Sequence, residues 1–187
     1  MIHPETELRI VGESIGHGVV AKAFIPKGTV VWVRDDFDLL FTEAEIDRLP
    51  PCYRIITDKY AYLDADGMHV LCWDFARYVN HSCEPSCLGG TSEFEVAVRD
   101  LQPGDELTND YATLNLKTTE RFQCHCGAPH CRGTVRPEDA VTLSARWTQT
   151  FQATLALAPT VPQPLSPFFP EHGMPELEAL KNGHRAP

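Results

Sequence analysis

The stretch CHCGAPHC carries three cysteines, Cys124, Cys126 and Cys131, in a C-x-C-x4-C array. Thiolates this close together can occupy three corners of a zinc tetrahedron and leave the fourth to a residue distant in sequence. Cys83 is the best candidate for that corner, with Cys87, His125 and His130 competing. Reduced thiols without a metal rarely cluster in this way. A fully thiolate-bound zinc has no open position, so the metal would be structural rather than catalytic. A ligand over forty residues upstream would clip the C-terminal segment onto the body of the domain.

Cys83 belongs to RYVNHSCEPSC, residues 77–87, which also holds Arg77 and the Asn80-His81 pair. Upstream, SIGHGVVA offers Gly16-His17-Gly18, where two residues without Cβ let backbone approach a ligand closely. No third glycine at the right offset and no following helix accompany it, so it is not a dinucleotide fingerprint. Downstream, GDELTNDYA brings Tyr111 to the end of a strand beside Asn109 and Asp110. Taken alone, a strand-end tyrosine is more often core or surface than site.

The elements that must position these residues read mainly as short strands. Residues 8–34 are Val/Ile/Ala-rich stretches broken by Gly-x-Gly and Pro26-Lys27-Gly28, which predicts strands joined by tight turns. Thr42 caps one short helix, with Glu45 three residues on and a double proline behind it. The segment YAYLDADGMHVLCW reads as strand, Asp-Gly turn and strand. Phe94 to Thr108 reads as two strands about a Pro103-Gly104 turn. Beyond the cysteines, Leu143, Trp147, Phe151 and Leu155 recur every fourth residue, predicting a helix over 137–157 whose apolar face caps the domain or forms a dimer contact. Residues 158–187 hold seven of the 15 prolines, so they are expected to be extended, with one helical turn at PELEALKN. Phe168 and Phe169 give that tail a means of lying on the domain.

At 187 residues the chain can bury a core without cross-links, so its cysteines are not needed as disulfides. No apolar run approaches the ~20 residues of a membrane span. The opening MIHPETELRIVG lacks a secretory signal, which predicts an intracellular protein, nuclear or cytoplasmic and not secreted, in a reducing compartment. Sixteen Lys and Arg against 26 Asp and Glu give a formal charge of −10. That charge disfavours direct nucleic-acid binding and favours a basic protein partner.

In this order, SIGHGVVA, RYVNHSCEPSC, GDELTNDY and CHCGAPHC resemble the SET-domain lysine methyltransferases, the last as the post-SET zinc motif. The resemblance covers residues 8–136. It implies a mainly β fold with short helices, in which the Asn80-His81 and Asp110-Tyr111 segments cross in a knot-like threading. The implied organisation is a SET domain over 1–117, a post-SET zinc segment over 118–136, and a C-terminal helix and Pro-rich tail over 137–187. No cysteine-rich pre-SET region is expected before residue 8.

The implied activity is methyl transfer from S-adenosyl-L-methionine to a lysine side chain of a basic protein, such as a histone; a silent zinc-containing binding module is the alternative. By position, Gly16, His17, Gly18, Arg77, Asn80 and His81 would bind the cofactor. Tyr111 would sit where methyl group and lysine meet, and Cys83, Cys124, Cys126 and Cys131 would hold zinc. The second channel tyrosine is Tyr60 or Tyr62, with Tyr60 favoured by its spacing to Asp64. Three positions depart from the family: Ser86 stands where Asn is usual, CWDFAR replaces a Gly-Asn before the arginine, and Asn109 replaces an aromatic residue that influences how many methyl groups are added.

Overall fold

Apolar β-branched residues set the first sheet. In the computed structural model, strand β1 (Thr6–Gly12) turns back into β2 (Gly16–Ala21) with Thr6 opposite Ala21 and Gly12 opposite Gly16. The Val19-Val20-Ala21 run of β2 is fully buried because β2 lies inside its sheet, with a neighbour on each side. The structure describes residues 1–169 apart from Ser14, Ser92, Asn115, Thr118 and Thr119. The helical turn expected at 175–182 lies outside the described residues.

Strand β3 (Val30–Val33) is buried at every position, and β4 (Leu39–Phe41) leads into helix α1 (Glu43–Arg48). Thr42 closes the capping box with Glu45 as expected. The double proline does more than stop that helix. Pro51 occupies the first position of a second helix, α2 (Pro51–Tyr60), where its fixed φ is suited and its missing N–H costs nothing. Tyr60 is therefore the last residue of a helix and not part of a strand.

Strands β5 (Tyr62–Leu63) and β6 (His69–Leu71) flank the turn at Gly67, which has φ +77°. With β4 they form a three-stranded sheet in the order β4-β6-β5. A 3-10 turn at Phe75–Tyr78 leads into β7 (Asn80–His81). Then come β8 (Cys87–Thr91), β9 (Phe94–Ala97) and, after the expected turn at Gly104 (φ +96°), β10 (Glu106–Asn109). The order β3-β9-β8 makes a second sheet, and β1-β2-β10-β7 the four-stranded one. Within it β7 and β10 run parallel, Asn80 opposite Thr108 and His81 opposite Asn109. The two segments that the sequence expected to meet are thus direct neighbours.

A two-stranded ribbon, β11 (Phe122–Gln123) with β12 (Thr134–Val135), carries the cysteine array between its strands. Helix α3 (Asp139–Leu155) follows. Its Phe151 and Leu155 pack on Val30, Val33, Phe94 and Val96, and Trp147 packs beside the cysteines. The stripe read from the sequence is a cap on the domain. The tail as far as Phe169 joins the same core through Leu165 and Phe169, 1% and 3% exposed, while Gln163 bonds the backbone of Gly28 and Val30. Among the described residues, no helix is long and apolar enough to cross a membrane.

Candidate active site and thiolate cluster

Pairing of β7 with β10 fixes the polar residues of both strands. Ser82 N–H donates to Asn109 O (2.9 Å) and Ser86 N–H to Thr108 O (3.1 Å), carrying the pairing past the strand ends. His81 Nδ1 accepts from the Tyr111 N–H at 3.1 Å, so the proton of a neutral imidazole sits on Nε2, which faces Cys83 Sγ at 3.4 Å. Burial lowers the His81 pKa to about 4 despite the nearby Asp110 carboxylate, which keeps the ring neutral. The Tyr111 hydroxyl donates to Val79 O at 2.8 Å. Tyr111 is thus bonded at both ends to the strand that carries Asn80 and His81.

Asn80 reaches the other way. Its Nδ2 donates to His17 O (3.0 Å) and to Glu106 Oε1 (2.7 Å), tying β7 to the Gly-His-Gly corner at the start of β2. Both glycines have physical reasons to be there. Gly16 has φ +86°, and a Cβ on Gly18 would lie 2.5 Å from Glu106 Oε1 and 2.9 Å from Asn80 Nδ2. Arg77 folds onto its own turn, donating to Trp73 O (2.6 Å) and Asp74 O (3.2 Å).

A cavity of about 850 Å³ opens next to these strands, with Trp32, Tyr60, Tyr62, Tyr111 and Phe122 in its aromatic wall. Arg77, Glu95 and Asn109 also line it. Both tyrosines left open by the sequence reach it. Tyr62 packs edge-on to Trp32, with ring centroids 6.0 Å apart, and Tyr60 against Tyr78 at 5.1 Å. Tyr78 in turn meets His17 at 5.7 Å. The residues expected around one ligand therefore divide: Tyr60, Arg77 and Tyr111 line the cavity, while Gly16, His17, Gly18, Asn80 and His81 lie beside it on the four-stranded sheet.

The thiolates come together as expected. The Sγ atoms of Cys83, Cys124, Cys126 and Cys131 lie within 4.8 Å of one another. Cys83 and Cys124 are 3.7 Å apart, against the ~3.8 Å that a tetrahedron with Zn–S of ~2.3 Å requires. Backbone N–H groups of Cys83, Arg132 and Gly133 point at Cys126, Cys83 and Cys131 sulfurs respectively, which suits thiolate rather than thiol. Of the competing residues, Cys87 is fully buried in the main core and His130 is exposed and paired with Glu84.

Three side chains that the motif reading passed over complete the site. Arg132, next to the last cysteine, makes two bonds to Asp110 (2.6 and 2.7 Å). Glu95 projects into the cavity and accepts a hydrogen bond from Asn109 Nδ2. Thr113 Oγ1 donates to Asp110 O at 2.8 Å and lies 3.4 Å from Asn109 Oδ1. Neither Glu95, at a polar position of an alternating strand, nor Arg132 carries a sequence signal for the site.

A small β domain with an aromatic cavity beside paired strands and a four-cysteine cluster next to them is the class that these features define. The family model described as "SET domain" matches residues 16–112, just over half of the chain, and the chain belongs to that family. The match ends before the cysteine array. Among curated proteins, the chain is similar to the histone-lysine N-methyltransferase TRX1 of Oryza sativa subsp. japonica, 40% identical over 78 residues, covering 38% of this chain and 7% of that protein. It is 34% identical over 133 residues to the histone-lysine N-methyltransferase ash1 of Drosophila melanogaster, covering 64% of this chain and 6% of that one. The chain thus spans less than a tenth of either relative. Among solved structures it is similar to the methyltransferase domain of human SETMAR, with TM-score 0.49 and 22% identity over 71% of this chain and 57% of that one.

Proposed function

We propose that this chain is a protein-lysine methyltransferase that uses S-adenosyl-L-methionine and acts on a basic protein such as a histone. The observation that carries the reading is Tyr111. Its backbone and hydroxyl are bonded to the Val79–His81 strand, and its ring faces the aromatic cavity. Family membership and the histone-lysine methyltransferases among the relatives support it.

In this reading Gly16, His17, Gly18, Arg77, Asn80 and His81 hold the cofactor. The glycine corner fits at Gly16, where a Cβ would meet nothing within 4 Å, while Gly18 is packed against Asn80 and Glu106. When bound, the cofactor supplies an activated methyl group on a sulfonium. The cavity takes the lysine stem between Tyr60, Tyr62, Trp32 and Phe122, excluding water and disfavouring the ammonium form. Tyr111 orients the amine without acting as a nucleophile, because in-line transfer requires alignment and desolvation only.

Zinc on Cys83, Cys124, Cys126 and Cys131 would fasten residues 118–136 as a post-SET wall, with Phe122 as its contribution to the cavity. The net charge of −10 suits a cationic substrate, and the histone-lysine methyltransferases among the relatives favour a nuclear setting.

The test is transfer of radiolabelled methyl to core histones and to a cell lysate by zinc-loaded protein, with Tyr111→Phe alongside. Label that depends on Tyr111 supports the enzyme. Cofactor or histone binding without label would instead favour a catalytically silent binding module.

A further inference from the structure

Strand β9 alternates apolar and polar residues, and its carboxylate falls on the face that lines the cavity. Phe94 and Val96 point into the core beneath α3, and Ala97 into the core that contains Trp32, Cys72 and Cys87. Glu95, opposite Trp32 in register, lies on the Ala97 side and lines the cavity with Tyr111 and Asn109. Among the described residues, its side chain has one hydrogen bond, from Asn109, and no cationic partner. A half-buried carboxylate on the wall of an aromatic cavity, without a counter-charge, is a ready seat for a cation that enters it.

The groups that face it leave that role unfilled. Tyr111 is a buried phenol whose pKa is raised by desolvation and by Glu95 itself. Cys87 from β8 is pushed up to about 12 by burial, and Cys72 after β6 well above the usual thiol value, so both stay neutral. Trp32 from β3 and Asn109 from β10 are uncharged, and of the cavity's cations, Lys59, Arg77, Lys117 and Arg121, none makes an ion pair with Glu95 among the described residues, Arg77 being turned to Trp73 O and Lys117 to Glu43. Burial raises the Glu95 carboxyl to about 7, with the Asn109 bond opposing the rise.

We propose that Glu95 is a further catalytic residue, the carboxylate that receives the target lysine ammonium in the cavity and takes its proton. The proposal rests on the lysine-methylation reading. An ammonium Nζ–H bond breaks and a Glu95 O–H bond forms, so an ion pair becomes a neutral pair, which is favoured once the bound lysine stem excludes water from the cavity. The freed lone pair then bonds the methyl carbon as the donor's C–S bond breaks, giving a cationic methylammonium and the neutral thioether. The Glu95 proton leaves to solvent when the cavity opens.

Glu95→Gln keeps the acceptor for Asn109 and removes the base, and two readouts on the full chain test it. The first is the pH profile of kcat/KM on core histones. Wild type should rise up to pH about 7 and then level off. The variant should be roughly 10–100-fold slower at pH 7 and keep climbing toward pH 9.5, where free lysine begins to lose its own proton. Parallel profiles would overturn the proposal.

The second readout is independent of turnover: 13C NMR titration of protein labelled at glutamate Cδ, with Glu95→Gln assigning the resonance. The Glu95 midpoint should fall by at least about one pH unit when n-butylammonium, a lysine side-chain mimic, is added at millimolar concentration. An unmoved midpoint sinks the proposal. If wild type labels no protein at all, the methyltransferase reading fails by itself, and the titration still decides whether the cavity is built for an ammonium.

Discussion

Arg132 grips Asp110 through both terminal nitrogens, at 2.6 and 2.7 Å, and Asp110 is fully buried. The same guanidinium lies 3.2 Å from Asp139 at the start of α3. One side chain therefore joins the cysteine segment, the residue before Tyr111 and the C-terminal helix. Replacing Arg132 with Ala would strand a buried carboxylate, so Arg132→Ala should lose about 3 kcal/mol or more of unfolding free energy in urea titrations. Arg132→Lys should recover little of it, because a point charge cannot make the two-pronged contact. Full stability in either variant would mean that the contact is incidental.

Zinc removal should act locally. One equivalent of zinc per chain is expected by mass spectrometry of metals. A chelator, or Cys124→Ser, should deprotect amides of residues 120–136 in hydrogen exchange while the strands around Val19, Val30 and Val96 remain protected. Global loss of protection would show instead that the metal supports the whole fold.

For Tyr111→Phe, the hydroxyl bond to Val79 is the one hydrogen bond lost among the described residues, so stability should fall by only about 1 kcal/mol. Methyl transfer should fall much further, roughly 100-fold, with cofactor affinity by calorimetry nearly unchanged. Equal losses in binding and rate would assign the residue to cofactor binding instead.

Glycine 18 is constrained by its neighbours, since a methyl group there would displace Glu106 and Asn80 and break the bond between them. Gly18→Ala should cost about 1–2 kcal/mol and weaken cofactor binding at least tenfold. Gly127→Ala is a contrasting control for crowding: a Cβ there meets nothing within 4 Å, although φ +70° leaves some backbone strain.

Ligand-free stability should depend on Glu95. Its carboxyl is raised from 4.5 to about 7 in the folded chain, so the unfolded chain gives up its proton first as pH rises. The contribution is fully present below about pH 4.5 and is lost as pH climbs through about 7, a difference on the order of 3 kcal/mol. In Glu95→Gln that slope should be absent from denaturation midpoints measured between pH 5 and 8. An identical slope in both proteins would place Glu95 in contact with solvent.

What can be read along the chain is what depends on neighbours in sequence. The capping box of Thr42 and Glu45, the glycine turns at 67 and 104, and the four-residue stripe of α3 are local, and each appears where the sequence puts it. The second helix is not legible in the sequence because Pro50-Pro51 reads as a terminator, although proline suits a helix start as well as a helix end. The thiolate set was legible because metal chemistry limits which residues can join it, even across forty residues.

The sequence by itself determined the family, the mainly β character and the residue types of the site, because motif spacing and turn chemistry are written locally. Only the tertiary structure decided which side chains share a cavity. Parallel pairing of β7 with β10 brings Asn109 beside His81, and the β3–β9 register turns Glu95 toward Tyr111. Whether a carboxylate on an alternating strand meets water or a desolvated cavity depends on which sheet packs over it, and no local pattern contains that information.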